Sequence, residues 1–200
     1  MPRIGTRRHR DSPAVSDFAR RLIVMAAPRI ILAIIATALA APLPCLAASA
    51  SIDPTPTMAM RILELHNRER AAVGAPPLVW DDKLAQSAAS YGPTLASLRH
   101  LQHSPRDTRP GQRENLAMGS SGYYGYEAMT GFWIAEKRNF TPGQFPNVSR
   151  TGNWEDVAHY TQMIWKGTTN VGCSLQHGGD LDYLICRYSP PGNADGTIVP

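Results

Sequence analysis

Apolar side chains recur at steps of three and four between residues 57 and 140, and fall into short strand-like runs beyond residue 170. A first helix is predicted from Thr57 to Val73. Thr57 can cap it, Ile62, Leu65, Glu69 and Ala72 share a face, and Gly74 with Pro76-Pro77 ends it. His66, on or beside that face, reads as a packing and hydrogen-bonding histidine. Leu78-Val79-Trp80 leads into Asp81-Asp82, a cap with acidic charge for a second helix. There Leu84, Ala88, Tyr91, Leu95 and Leu98 form a clear stripe, broken by Gly92-Pro93. Proline removes a helix hydrogen bond, so a kink is predicted there, or an end near Tyr91 and a restart. Residues 99–113 read as a polar loop, and Glu114-Asn115-Leu116-Ala117 as an extended segment entering a turn at Gly119-Ser120-Ser121-Gly122. A third helix is predicted from about Tyr123 to Asn139. Met129, Trp133, Glu136 and Phe140 follow its period, which puts Glu136 on its own apolar face, either solvated at the edge or buried with partners. Residues 141–153 read as a loop, and Asn147-Val148-Ser149 is a sequon that has meaning only in a eukaryotic secretory pathway. Residues 170–177 and 181–188 read as two strands of a hairpin turning at Gly178-Gly179-Asp180, and the tail to Pro200 as loose.

Helices flanking a small sheet give an α+β fold, a three-layer α–β–α sandwich with a mainly antiparallel sheet. Within it, Ala158-His159-Tyr160-Thr161-Gln162-Met163-Ile164-Trp165 is the stretch of greatest interest. As a helix it places His159, Gln162 and Met163 on one face. That face is too apolar to lie in water, so His159 is expected to be partly buried. A buried imidazole needs a partner for each ring nitrogen, or a metal. His103-Ser104, Glu114-Asn115 and Trp133-Ile134-Ala135-Glu136 are the stretches able to supply one.

Charge changes the picture at the N-terminus. The chain is formally +4, but residues 1–50 hold seven arginines against two aspartates, whereas residues 51–200 hold 13 basic against 14 acidic side chains. The basic balance belongs to the leader and gives no ground for nucleic-acid binding. Arg29 followed by apolar Ile30–Ala41, proline at 42 and 44, and Ala48-Ser49-Ala50 resembles a secretory signal with an A-x-A cleavage site. Met25 is a candidate true start. The run is shorter than the roughly 20 residues that span a bilayer, which favours cleavage over a signal anchor and leaves no stable membrane span. A lipoprotein cysteine at Cys45 is disfavoured by Pro44. The expected organisation is a signal peptide over 1–50, a linker over 51–58, one domain over 59–193 and a tail over 194–200. Export leaves Cys173 and Cys186 in an oxidising compartment, where a disulfide is expected.

His66-Asn67 with Arg70, Trp80-Asp81-Asp82-Lys83-Leu84-Ala85, His159-Tyr160-Thr161-Gln162-Met163-Ile164-Trp165 and Cys186-Arg187-Tyr188-Ser189-Pro190-Pro191-Gly192-Asn193 together resemble the CAP superfamily of cysteine-rich secretory, antigen 5 and pathogenesis-related class-1 proteins. The resemblance covers about residues 59 to 193. It implies a cavity lined by His103, Glu114, Glu136 and His159, with all four residues present. Ala158 departs from the residue, often glycine, that precedes the signature histidine. Of the three disulfides usual in eukaryotic members only the Cys173–Cys186 pair can form, and the cysteine-rich extension of the animal proteins is missing, so ion-channel activities are not carried over. The single bridge and simple signal suit a bacterial member.

The resemblance implies a secreted protein, periplasmic if bacterial, whose His103 and His159, with Glu114 and Glu136 as further candidates, hold Zn²⁺ or another divalent cation weakly. The implied partners are a sterol, fatty acid or other lipid in an apolar groove, or an extracellular protein. Tyr123, Tyr124, Tyr126, Phe132, Phe140 and Phe145 are candidates for the groove or for ordinary core and surface. Two other readings stay open. In one, Glu114 or Glu136 is the general base of a metal-dependent hydrolase. In the other, the four residues are a buried polar network that stiffens the sandwich.

Overall fold

A computed structural model describes residues 57–200; the leader, its cleavage site and most of the linker lie outside the described residues. The first helix, α1 (Met58–Ala72), begins where Thr57 Oγ1 accepts from Met60 N and ends at Val73. Its buried stripe differs from the expected one. Ile62, His66, Glu69 and Arg70 are buried, Leu65 is half-buried and Ala72 is exposed. Polar side chains occupy the inner face because each finds partners there. The Arg70 guanidinium donates to the carbonyls of Pro76 (2.6 Å), Met163 (3.0 Å), Trp165 (2.8 Å) and Thr168 (2.8 Å), tying α1 to the chain on both sides of residue 165.

The two-residue strand β1 (Val79–Trp80) precedes α2 (Asp82–Leu98), which Asp81 caps through Lys83 N and Leu84 N. Of the kink or the end near Tyr91 that the sequence suggested, the end does not occur: α2 runs through Pro93 as one helix. Pro93 and Ala89 are both exposed, so water can serve the carbonyl that the proline leaves unbonded. Gly92 lies against strand β4 (Asn170–Gly178), where an added Cβ would fall 2.6 Å from Gln176 Oε1. This tertiary contact holds the helix together past the weak point.

Strand β2 (Arg113–Ser120) follows the polar segment, which contains a short 3-10 turn at Arg106–Thr108. Helix α3 (Tyr126–Ala135) starts later than its apolar period suggests, after a turn in which Gly122 has φ +74°, and tightens into a 3-10 turn at Glu136–Arg138. A third 3-10 turn at Trp154–Val157 feeds α4 (Ala158–Met163). Strands β4 and β5 (Leu181–Ser189) form the expected hairpin, and Cys173 and Cys186 face each other in its register and are bonded. The tail is not loose. Ile198–Val199 forms β6, antiparallel to β3 (Gly143–Gln144), with Val199 buried.

The main sheet has the order β1-β4-β5-β2, antiparallel except for β1 against β4. Its two faces carry different cores, as the alternation of strand side chains requires. Leu116, Tyr183 and Ile185 pack on Ala88, Tyr91 and Leu95 of α2. Ala117, Cys173, Leu184, Cys186 and Tyr188 pack with Ile62 of α1, Met129 and Trp133 of α3 and Met163 of α4. The result is the α–β–α sandwich. A third cluster, including Phe140, Phe145, Tyr160, Trp165 and Val199, supports the loop and tail beside α4. Phe140 and Phe145 are therefore core residues, while Tyr123, Tyr124 and Phe132 form an edge-to-face stack, with Tyr123 and Phe132 exposed. The six aromatics do not line one groove.

Candidate functional site

Neighbouring residues of β2 serve opposite faces of the sheet. Glu114 points to the α2 side and pairs in register with Arg187 of β5. Arg187 Nη2 donates to Glu114 Oε2 at 3.0 Å, and its guanidinium carbon lies 5.9 Å from the centre of the Tyr91 ring. The loop after α2 folds over this carboxylate. His103 Nδ1 lies 2.7 Å from Oε1, Ser104 N donates to Oε1 at 3.0 Å, and Ser104 Oγ donates to Oε2 at 3.1 Å. Burial alone raises the Glu114 pKa; hydrogen bonding from His103, the Arg187 charge and the Ser104 N–H more than offset it, and the net direction is down.

The second pair lies across the sheet. Glu136 opens the turn after α3 and reaches the start of α4. Its Oε2 accepts from His159 N and Tyr160 N, both at 3.0 Å, and Oε1 lies 2.6 Å from His159 Nδ1. The carboxylate thus satisfies N–H groups that the first turn of a helix leaves free, and orients the imidazole at the same time. Glu136 falls between the two expected cases, half-buried and with partners, its side chain 19% exposed against 31% for His159. The His159 ring stacks on Trp133 with centroids 6.0 Å apart, and its carbonyl accepts from Asn115 Nδ2 at 3.1 Å. Asn115 also donates to Tyr188 Oη, which meets His66 Nε2 at 2.9 Å, while His66 Nδ1 lies 2.8 Å from Ile62 O. His66 is the satisfied core histidine expected, and burial lowers its pKa to about 4.

The structure thus joins the four sequence-derived residues as two carboxylate–imidazole pairs, His103 with Glu114 and His159 with Glu136. A carboxylate beside Nδ1 makes that nitrogen the N–H donor and leaves the Nε2 lone pair outward. Neither Nε2 has a hydrogen-bond partner among the described residues. Both histidines line one cavity of about 680 Å³, with Glu114, Asn115, Ala158 and Asn193 on its wall; Glu136 lies behind His159. Among the described residues no group of three or more histidine, cysteine or carboxylate side chains is arranged to hold a metal ion, so the protein could offer a cation two imidazoles here, with water filling other positions. Ser104 Oγ is held between Glu114 and Arg109 Nε (2.9 Å) and is bonded to no histidine among the described residues, an arrangement unlike that of an activated nucleophile.

Sequence reasoning missed Arg106, Arg109 and Arg113, which share the cavity wall. The signal was visible as a run of arginines within a segment read only as polar loop. Asn115 and Asn193 stood in the sequence motifs without an assigned role; their amides fix the α4 backbone at His159 O and at Ala158 O (2.8 Å).

Residues 63–188 match the CAP family, described as the cysteine-rich secretory protein family. Pathogenesis-related protein 1C of Nicotiana tabacum is 36% identical over 136 residues, which is 67% of this chain and 76% of the tobacco protein. Golgi-associated plant pathogenesis-related protein 1 of Homo sapiens is 34% identical, covering 66% of this chain and 82% of the human protein. Among solved structures, that of NaASP2 with Zn²⁺ superimposes with a TM-score of 0.60 at 23% identity, over 74% of this chain and 87% of that one, a likeness of fold. With its sandwich, its hairpin disulfide and a family match spanning most of the described residues, the chain belongs to the CAP family of cysteine-rich secretory proteins.

Proposed function

We propose that this CAP-domain protein is exported and acts by binding, with a cavity that takes a weakly held divalent cation at His103 and His159. The leader over 1–50, the linker over 51–58, the domain over 59–193 and the tail over 194–200 belong to the same proposal. One observation carries the reading: each imidazole is fixed through Nδ1 by its own carboxylate, and both rings stand on the wall of one cavity. Glu114 and Glu136 act in it as orienting partners that raise ligand basicity. When bound, a cation would supply a charged centre able to attract or polarise an oxygen-bearing ligand. The solved relative NaASP2 with Zn²⁺ supports the reading by its fold.

Calorimetric titration of Zn²⁺ into the purified protein, beside His103→Ala and His159→Ala, tests it. Wild-type binding that disappears in both folded variants is the expected result. A folded wild-type protein that takes up no zinc would overturn the cation and leave the four residues as a polar network.

A further inference from the structure

The wall of the histidine cavity carries three arginines, Arg106, Arg109 and Arg113. Three carboxylates, Glu114, Glu155 and Asp195, stand on the same wall, so what matters is which charges are already paired and not their number. Arg109 is only 6% exposed, and protein acceptors fix its guanidinium. Nε donates to Ser104 O (3.2 Å) and Ser104 Oγ (2.9 Å), and Nη1 to Gln112 O (3.0 Å), while Nη2 has no partner among the described residues. Arg113 donates from Nε to Gly192 O (2.9 Å) and from Nη2 to Asn193 O (3.3 Å), leaving Nη1 without one. Arg106 is exposed and its side chain makes no hydrogen bond among the described residues.

None of the three forms an ion pair with a carboxylate among the described residues. Glu114, on the same wall, is already held by His103, Ser104 and Arg187. Glu155 and Asp195 also stand there, both exposed. Burial and then the charges of Arg106 and Arg109 lower the Arg113 pKa, with Asp195 opposing them. Partly buried guanidinium N–H groups are costly to leave without an acceptor, and an anion at Arg109 Nη2 and Arg113 Nη1 supplies one. Guanidiniums already fixed by backbone acceptors lose little freedom on binding and present forked donors suited to oxyanions.

We propose that this arginine wall is an anion subsite, taking a tetrahedral oxyanion, a phosphate or sulfate group, from a ligand that enters the cavity. The proposal rests on the reading of this cavity as a ligand site, and does not require a cation at the histidines.

The purified protein in EDTA, at about pH 7.5 where an ordinary imidazole is neutral, is titrated calorimetrically with inorganic phosphate, inorganic sulfate and glycerol 3-phosphate at fixed chloride. Saturable binding is expected, weakened about tenfold by Arg106→Gln, the loss of one charge-assisted contact. Arg106 makes no side-chain contact that the fold needs, so this variant stays folded. Arg150→Gln, at an exposed arginine off the cavity wall, leaves binding unchanged. His159→Ala retains anion binding even where it abolishes zinc binding, so the two proposals fail separately. Binding of both inorganic ions supports a general tetrahedral subsite, and phosphate alone narrows it to a phosphate group. Tighter binding of glycerol 3-phosphate supports a phosphomonoester. No saturable binding by the folded wild type, or equal loss in Arg106→Gln and Arg150→Gln, overturns the subsite.

Discussion

At the scale of single residues, the protein's pH response and its site geometry depend on a few buried contacts. His66 is fully buried and neutral, its pKa lowered from 6.5 to about 4. The unfolded chain binds a proton in that interval and the folded protein does not, so stability rises with pH across it and is fully present above 6.5. The shift corresponds to about 3 kcal/mol, lost progressively as pH falls from 6.5 through about 4. Glu114 acts in the same direction lower down. Its depressed pKa contributes stability present above its ordinary value of 4.5 and lost as pH falls through the folded value. Urea unfolding between pH 7 and 4 should show a steep decline in wild type and a flatter one in His66→Gln, which starts less stable. Glu136 makes three contacts at once, to His159 Nδ1, His159 N and Tyr160 N. Glu136→Gln should keep part of the backbone cap but lose the charged acceptor at Nδ1. Zinc affinity in the calorimeter should then fall by about tenfold or more, beyond the effect of lost stability.

At the scale of elements, neighbouring residues specify structure where the energetics are local. Thr57 and Asp81 cap α1 and α2 because a short side-chain oxygen satisfies the free N–H groups of a first turn. The hairpin follows from two strand runs around Gly178-Gly179-Asp180, with Gly179 at φ +72°. The failures are tertiary. The inner face of α1 is rotated toward His66 and Arg70 because Tyr188 and three carbonyls distant in sequence, those of Met163, Trp165 and Thr168, wait for them. Helix α2 crosses Pro93 because β4 holds it on the other side. That contact is closest at Gly172, where an added Cβ would fall 2.3 Å from Ala85 N and 2.3 Å from Asp81 O, both backbone atoms that cannot swing away. Gly172→Ala should therefore push β4 off the start of α2 and cost about 1–3 kcal/mol, read as a lower melting temperature with the disulfide intact.

At the scale of the whole molecule, three clusters of buried side chains share the load, and the disulfide adds to them within one hairpin. Cys173 and Cys186 are 13 residues apart and sit on the face shared by α1, α3 and α4. Reduction, or Cys173→Ser with Cys186→Ser, should cost about 3 kcal/mol by loop entropy, seen as a fall in melting temperature of a protein that still folds. The caps, the hairpin and the sandwich class are legible in neighbouring residues, because periodicity and turn chemistry are local, while the two histidines and two glutamates were named by resemblance to the family's motifs. Which glutamate serves which histidine follows from the packing. Glu114 and Asn115 are adjacent in the chain yet face opposite sides of the sheet, so one meets His103 and the other the backbone of His159. It also turned the arginines of a polar loop into one wall of the cavity and bound the tail as β6. Contacts between residues tens of positions apart depend on how the elements pack, and no local pattern in the chain encodes that packing.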